Sequence, residues 1–452
     1  MAKFLSCVAA VLSVSFFQVE AQCPDYSQYS QQLNPPLSAG EYKLAYQRPP
    51  LACRTFNSSA VEDTITRFQS NIFPNALDTA VKWKGFAADN AAEELTFLIT
   101  GDINAMWLRD SANQMQSYLP LIKADSSYNS LASLYRGPPT ESGLCPSQNQ
   151  AQSDNFMPPI STGIAFECKY ELDSLAAFLE ISTNYYEATG DIDFLNKFNW
   201  IQAVNAILNI TEALLIGTYA ANGSVNAVPY TWQRQTSSAT GPLDNSGREN
   251  PVQGGTGLVR SAFRLSDDST IYQLFIPANM MFSRYLDSAS KIMQTISGNR
   301  SLANHMHNFP QSINTAIDTY GIIQNPVYGN IYAFEPANRM DDANIPSLLS
   351  APFFGYLDTT DAVYQNIRNV GGPHAGLGQA WRMASIIRIF TSSDEAEIKA
   401  QLKEIGINSF DQTKWSRQWF SWANGLFGQC ILDLKDRLPG CWRRAISRAL
   451  VG

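Results

Sequence analysis

The sequence predicts a mainly α fold, built as helical hairpins wrapped into a barrel, and three observations carry that expectation. From about Ser58 onward, apolar residues recur mostly at helical spacing. Strand-like alternation of apolar and polar residues is scarce. The periodic segments are separated by polar loops bearing Gly and Pro, with no composition break that would divide the chain.

Taken in order, residues 1–21 read as a secretory signal peptide. Lys3 supplies the positive start, Phe4 to Phe17 the apolar stretch, and Val19-Glu20-Ala21 a small-x-small cleavage site before Gln22. That apolar run is too short to span a membrane, and no later segment reaches ~18 uninterrupted apolar residues. The expectation is a secreted protein with no membrane association once the signal is removed. Residues 22–452 then read as a single domain with an extended N-terminal arm, the Pro-, Ser-, Tyr- and Gln-rich stretch 22–50. Leu172, Leu175, Ala176, Leu179 and Tyr186 fall on one face of a helix that Gly190 ends. Residues 191–215 continue as a second helical stretch. Residues 271–296 form a long segment interrupted at Pro277 and stopped by Gly298. Another helix covers 380–390, and Ser392 with Glu395 forms a capping box for one ending before Gly406.

Only 16% of residues are charged, and the formal net charge is -8. A nucleic-acid partner is therefore excluded, because phosphate binding needs a basic footprint. The hydrophobic fraction of 45% is ample for a large core. Cys7 leaves with the signal, so Cys23, Cys53, Cys145, Cys168, Cys430 and Cys441 remain. An even count in an oxidising compartment favours disulfides without fixing their pairing. Sequons at Asn57, Asn209, Asn222 and Asn299 agree with secretion and mark surface loops.

The chemistry available is that of carboxylates. The three histidines, His305, His307 and His374, lack the spacing of a zinc site. No Gly-x-Ser-x-Gly is present. Gln253-Gly254-Gly255-Thr256-Gly257 is a glycine-rich turn rather than a dinucleotide site, and nothing in the composition requires a cofactor. Two acidic pairs remain, Asp267-Asp268 after Ser266 and Asp341-Asp342 after Met340. Such a pair at a helix start ordinarily caps free N–H groups and meets the positive end of the dipole. The functional alternative is that one of two crowded carboxyls holds its proton near neutrality and serves as a general acid. The stretch Thr100 to Ser111 adds Asp102, Trp107, Arg109 and Asp110, a set of donors, acceptors and a flat ring that suits a polyhydroxylated ligand. A buried Arg–Asp pair with a core Trp fits those residues equally well. The loops 148–160 and 233–256 are long for plain connections, and long ordered loops are often functional.

Nine segments, in order, carry a resemblance. They are Phe73-Pro-Asn-Ala-Leu-Asp-Thr79, Thr100-Gly-Asp-Ile-Asn-Ala-Met-Trp-Leu-Arg-Asp-Ser111, Lys169-Tyr-Glu-Leu-Asp-Ser174, Tyr230-Thr-Trp-Gln-Arg234 and Phe263-Arg-Leu-Ser-Asp-Asp268. Ile276-Pro-Ala-Asn-Met280, Asp341-Asp-Ala-Asn-Ile-Pro-Ser-Leu-Leu349, Gly371-Gly-Pro-His374 and Trp419-Phe-Ser-Trp-Ala-Asn424 complete them. Together they resemble glycoside hydrolase family 125, the metal-independent exo-α-1,6-mannosidases, from about Cys23 to Leu434. The resemblance implies an (α/α)6 barrel, no metal or cofactor, and an inverting reaction on a terminal α-1,6-mannose of an α-mannoside oligosaccharide or glycan. It implies a general acid at Asp267 or Asp268, without choosing between them, and sugar contacts at Asp102, Trp107, Arg109, Asp110 and His374.

The departures from the family pattern bear on activity. The family's general base is a Glu, and Asn408 stands at that position. An amide can hold a water by hydrogen bonds but cannot take its proton. Arg260 stands where the family usually has Trp, Arg382 where it has Pro, and Gln429 where it has Glu. The connections 65–73, 334–340, 368–371 and 404–408 read as shorter than in the family. Two readings therefore stand: an exo-mannosidase with impaired turnover, and a non-catalytic α-mannoside-binding protein.

Overall fold

The structure, a computed structural model, describes residues 76–86, 90–101, 103, 105–124, 126, 130–136, 153–158, 166–238, 240–296, 298–335, 341–370, 382–406 and 420–438. Helices dominate: Leu108–Gln116, Leu131–Arg136, Leu172–Thr189, Ile192–Lys197, Trp200–Ala213, Ile276–Thr295, Arg300–Tyr320, Ala362–Val370, Arg382–Phe390, Glu395–Gly406 and Ser421–Arg437. The strands form small antiparallel ribbons, β1 (Val81–Phe86) with β2 (Glu94–Leu98), β3 (Asn155–Met157) with β4 (Thr231–Gln233), and β5 (Ile322–Asn325) with β6 (Gly329–Tyr332). The backbone divides into two compact units, each discontinuous in sequence. Among the described residues, one draws on Pro139–Tyr186 and Asp191–Met340, the other on Asp25–Pro138, Glu187–Gly190 and Asp341–Gly452. The signal peptide and the 22–50 arm lie outside the described residues.

In the first unit, the helix Leu172–Thr189 ends where the sequence says it should. Gly190 follows at φ +68°, the left-handed conformation that closes a helix and that glycine adopts without strain. The helix is buried nearly all round rather than along one stripe, with Asp173, Glu180 and Ser182 inside alongside Leu175 and Leu179. The expected single stretch 191–215 is two helices, broken at Phe198 and Asn199. Asp191 caps the first of them, its Oδ1 accepting from the Phe194 N–H at 3.1 Å.

The segment 271–296 is corrected more sharply. Pro277 starts a helix instead of interrupting one: it sits in the first turn of Ile276–Thr295, where a missing N–H costs nothing. Residues 271–275 lie outside the helix, 271–273 as bends at the end of a hairpin described below. Asn279, fully buried, explains why its motif has an amide. Its side chain accepts from Val259 N–H and donates to Val259 C=O, both at 2.9 Å, pairing with that segment as a strand would. Ile276–Thr295 packs with Arg300–Tyr320 as a helical hairpin. The second helix buries Ala303, Met306, Phe309, Ile313 and Ile317, the i, i+3, i+4 spacing of a single apolar face.

In the second unit, the capping residue of Glu395–Gly406 is Asp394, not Ser392. The Asp394 Oδ1 accepts from Ala396 N–H at 2.8 Å, while Ser392 Oγ turns to Glu397 Oε2 at 2.6 Å. Glu397 is in greater demand as an acceptor: Arg368 grips both of its oxygens at 2.6 Å and Arg388 adds a contact at 3.0 Å. Those three side chains tie the helices Ala362–Val370, Arg382–Phe390 and Glu395–Gly406 together. Asp341, from the second acidic pair, starts no helix, since 341–361 is bends and turns; it accepts instead from Leu348 N–H at 2.7 Å and Leu349 N–H at 3.1 Å.

Cys168 and Cys430 are buried thiols, so these two of the six cysteines carry no disulfide. Cys23, Cys53, Cys145 and Cys441 lie outside the described residues. Of the one-letter departures, Arg260 is buried, Gln429 half-buried and Arg382 exposed. Arg260 Nη1 reaches Gln273 Oε1 at 3.4 Å, and the negative charge of Glu249 offsets part of the desolvation that lowers its pKa.

Candidate active site

The acidic pair Asp267-Asp268 does not open a helix. It sits at the tip of a hairpin over 261–273, held by Ser261 N–H to Gln273 C=O (2.8 Å), Thr270 N–H to Ala262 C=O (3.1 Å) and Arg264 N–H to Asp268 C=O (3.0 Å). The tip is a three-residue loop: Asp267 N–H donates back to Arg264 C=O at 2.8 Å, and Asp267 itself takes φ +61°. In this loop type a β-turn is followed by one left-handed residue, normally glycine. Asp is among the few other side chains that tolerate the conformation. A carboxylate thus stands where the backbone alone would ask for glycine, the kind of local conflict that collects at functional positions.

The two carboxylates have different surroundings. Asp268 Oδ1 accepts from Thr240 Oγ1 at 2.5 Å, and its Oδ2 accepts from Ser266 Oγ at 2.9 Å and Arg264 Nη2 at 3.1 Å. Both oxygens are committed to closing the turn. Asp267 is approached instead from beneath its backbone: Lys169 Nζ donates to the Asp267 carbonyl at 2.9 Å. The Lys169 ammonium lies 3.5 Å from Glu167 Oε1 and over the rings of Phe263 and Trp232, at 5.3 and 5.7 Å from their centroids. Trp232 and Phe263 meet edge to face at 5.1 Å.

Behind this lies an ion-pair chain. Arg234 holds Asp154 with Nε to Oδ1 at 2.5 Å and Nη2 to Oδ2 at 3.0 Å, a two-point fork that lysine could not make. Its Nη1 reaches Glu167 Oε2 at 3.1 Å. Asp154 and Arg234 extend the β3–β4 register, in which Asn155 pairs Gln233, so they are cross-strand neighbours. Burial pushes the Glu167 carboxyl above the usual range; Lys169 pulls it back, Asp267 adds a further upward push, and Arg234 pulls down again.

Both long loops thus contribute to the hairpin's surroundings, 148–160 through Asp154 and 233–256 through Arg234 and Thr240. Sequence reasoning did not pick Asp154, Glu167, Lys169 or Arg234 as site residues. Lys169 and Arg234 stood inside quoted motifs, and Asp154 inside a loop flagged by length alone. Glu167 had no signal of its own.

Trp107, Arg109 and Asp110 belong to the second unit. Trp107 precedes the helix Leu108–Gln116 with an extended backbone (φ -108°, ψ 137°) and keeps part of its ring exposed. Arg109 and Asp110 follow in the first turn, 2% and 6% exposed, with Arg109 Nη2 3.8 Å from Asp110 Oδ2. The preceding loop is fixed on both sides. Gly101, at φ +136°, bridges to Phe420, and Gln114 Nε2 donates to Ile99 C=O at 3.0 Å. Asp102, His374 and Asn408 lie outside the described residues. His305 and His307 meet Glu212 and Asp287 on neighbouring helices, at 2.5 and 2.7 Å.

Comparison with known proteins adds three findings. The family described as metal-independent α-mannosidase (GH125) matches residues 62–370 and 366–432. The meiotically up-regulated gene 157 protein of Schizosaccharomyces pombe is 37% identical over 495 aligned positions, covering 94% of this chain and 95% of its own. A solved Streptococcus pneumoniae structure, described as one of a family of metal-independent α-mannosidases in a non-productive complex with α-1,6-mannobiose, superposes with a TM-score of 0.69. It is 27% identical and covers 85% of this chain and 96% of its own.

Proposed function

The chain belongs to the metal-independent α-mannosidases of family GH125, and from that membership we propose that it removes terminal α-1,6-linked mannose from the non-reducing end of mannosides by inversion. With the family goes the fold class, mainly α, the (α/α)6 barrel.

The observation that carries the proposal is the hairpin tip. Glycoside cleavage needs a carboxyl that delivers a proton to the leaving oxygen, and a second group on the opposite face of the sugar to deprotonate the attacking water. Of the two candidates, Asp268 has both oxygens engaged in closing the turn. Asp267, held in a conformation that favours glycine, is the better general acid. The proposed sugar contacts are Asp102, Trp107, Arg109, Asp110 and His374. No metal or cofactor enters these steps.

Asn408 stands at the base position, where an amide orients water without taking its proton. Hydrolysis is therefore slow in this reading, since general-base catalysis typically contributes ~10²–10⁴-fold. A second reading, an α-mannoside-binding protein without turnover, is favoured by two further observations. The family match falls into two stretches that meet at 366–370, at the connection that reads as shortened in the sequence. The aligned span with the yeast relative is also longer than this chain's 452 residues, so the relative carries segments with no counterpart here. The proposed location is extracellular, after loss of residues 1–21.

Proton NMR of a mannobiose digest tests the proposal. β-Mannose as the first product supports inversion; α-mannose first contradicts it. Calorimetric binding of mannobiose with no mannose released leaves the binding-only reading.

A further inference from the structure

We propose that Lys169 is a positioning residue that holds the Asp267 turn in its left-handed conformation, an inference that rests on Asp267 being the general acid.

The turn needs such a tether. With glycine at position 267 the loop would close unaided, whereas an L-residue there crowds its Cβ against the following carbonyl. A turn of this kind persists only where its surroundings over-determine it. The turn's own bonds, Asp267 N–H to Arg264 C=O and Arg264 N–H to Asp268 C=O, and the ties of Asp268 to Thr240, Ser266 and Arg264 do not engage the Asp267 carbonyl. Lys169 supplies that contact with a charged donor 2.9 Å from the Asp267 carbonyl. Flipping the 267–268 peptide would turn this oxygen away and break the bond.

Lys169 is itself immobilised on three sides. The rings of Phe263 and Trp232 face its ammonium, and Glu167 lies at 3.5 Å. Glu167 is fixed in turn by Arg234, and Arg234 by Asp154 across the β3–β4 ribbon. The acid turn is thereby tied through four alternating charges to a ribbon that makes no other contribution to the hairpin's own ladder. Asp267 pushes the Glu167 carboxyl upward, and the Lys169 ammonium at 3.5 Å pulls it back. That cation is what allows Glu167 to serve as the anchor so close to the acid. The relation is one of placement: the ammonium touches the backbone carbonyl of Asp267 and not its carboxyl.

The test compares Lys169→Met, Lys169→Arg and Glu167→Gln with the parent chain, each carried also on the Asn408→Glu background so that turnover is measurable. In Lys169→Met, kcat on α-1,6-mannobiose is expected to fall about 100-fold, the scale of a misplaced catalytic group, with KM within twofold. Lys169→Arg restores most of it, and Glu167→Gln lies between. A rise in KM at unchanged kcat would make Lys169 a substrate contact and overturn the proposal, as would an unchanged kcat. Crystal structures of the parent and of Lys169→Met (of Lys169→Arg or Glu167→Gln, should the methionine variant not fold) give a readout independent of activity. Residue 267 is expected to leave positive φ, or to show two peptide orientations, when the tether is lost or weakened. A turn that stays at φ near +60° without its lysine contact contradicts the clamp whether or not the parent chain hydrolyses anything. Absence of turnover in the parent and in Asn408→Glu, with the turn still dependent on Lys169, would instead count against the hydrolase reading alone.

Discussion

Asp267 and Asp268 are adjacent in sequence and opposed in role: Asp268 spends both oxygens on Thr240, Ser266 and Arg264, while Asp267 occupies the left-handed position of the loop at φ +61°. Replacing Asp267 by Gly is therefore expected to remove the strain and, with it, the proposed general acid. Asp267→Gly is expected to be more stable to urea by about 1 kcal/mol, from relief of the left-handed conformation. It should also lose mannobiose hydrolysis. A variant that is less stable than the parent would contradict the strain. Asp268→Asn, by contrast, loosens the turn and loses an ion pair that is part-exposed, so a stability loss of at most about 1 kcal/mol is expected.

The loop 233–256, which supplies Thr240, is pinned by a close approach of two glycines. A Cβ on Gly217 would lie 2.2 Å from Gly254 N, and backbone cannot give way as a side-chain tip can. Gly217→Ala should cost about 1–3 kcal/mol in urea unfolding, the usual range for overpacking. Gly254→Ala, whose Cβ would meet Gly217 N at 3.0 Å, should cost less. Equal stability of Gly217→Ala and the parent would show that the loop is not seated this way.

Asp341 gives a pH dependence with a definite sign. Burial raises its carboxyl to about 7, against the pull of the N–H groups of Leu348, Leu349 and Asp342. An unfolded Asp titrates near 3.9. Between those values the native state binds the extra proton, so stability from this group is complete below pH ~4 and is lost as pH rises through about 7. The loss is at most about 4 kcal/mol, reduced by the water that reaches this half-buried residue. Thermal unfolding from pH 4 to 8 should fall less steeply in Asp341→Asn than in the parent, and equal slopes would contradict the assignment.

Much of the helical scaffold was legible in the sequence, because apolar periodicity and glycine stops act locally. Gly190 ends its helix as expected, and the 271–296 reading failed in taking Pro277 for an interruption and 271–275 for part of the same segment. The misreading of 266–268 as a helix start is more instructive. Asp after Ser before an apolar run is also how a capped helix begins; here the bonds Arg264 N–H to Asp268 C=O, Thr270 N–H to Ala262 C=O and Ser261 N–H to Gln273 C=O make the segment a hairpin. The motif residues themselves were visible, but their division of labour was not. The bond of Asp268 to Thr240 and that of Lys169 to Asp267 join residues 28 and 98 apart in sequence. Glu167 was invisible for the same reason: its fixed place depends on Arg234, 67 residues on.

The sequons divide by geometry. Asn222 is exposed in a turn, its Oδ1 accepting from Ser224 Oγ at 2.6 Å and Ser224 N–H at 3.0 Å, so amide and hydroxyl face each other. Asn209 lies within the helix Trp200–Ala213, where residues two apart do not face each other. Thr211 is buried there, with its hydroxyl on Ile207 C=O. Expression through a eukaryotic secretory pathway should yield glycan on Asn222 and none on Asn209 by peptide mass spectrometry. Modification of Asn209 with Asn222 bare would contradict this.

Release of mannose from α-1,6-mannobiose by the parent chain and by Asn408→Glu bears most directly on the account, in which the acid side is kept and the water-activating side is weakened. Slow hydrolysis by the parent, a gain of ~10²-fold or more in Asn408→Glu, and its abolition when Asp267→Ala is added are the predicted results. Asn408→Glu no faster than the parent, or activity that survives Asp267→Ala, would contradict it.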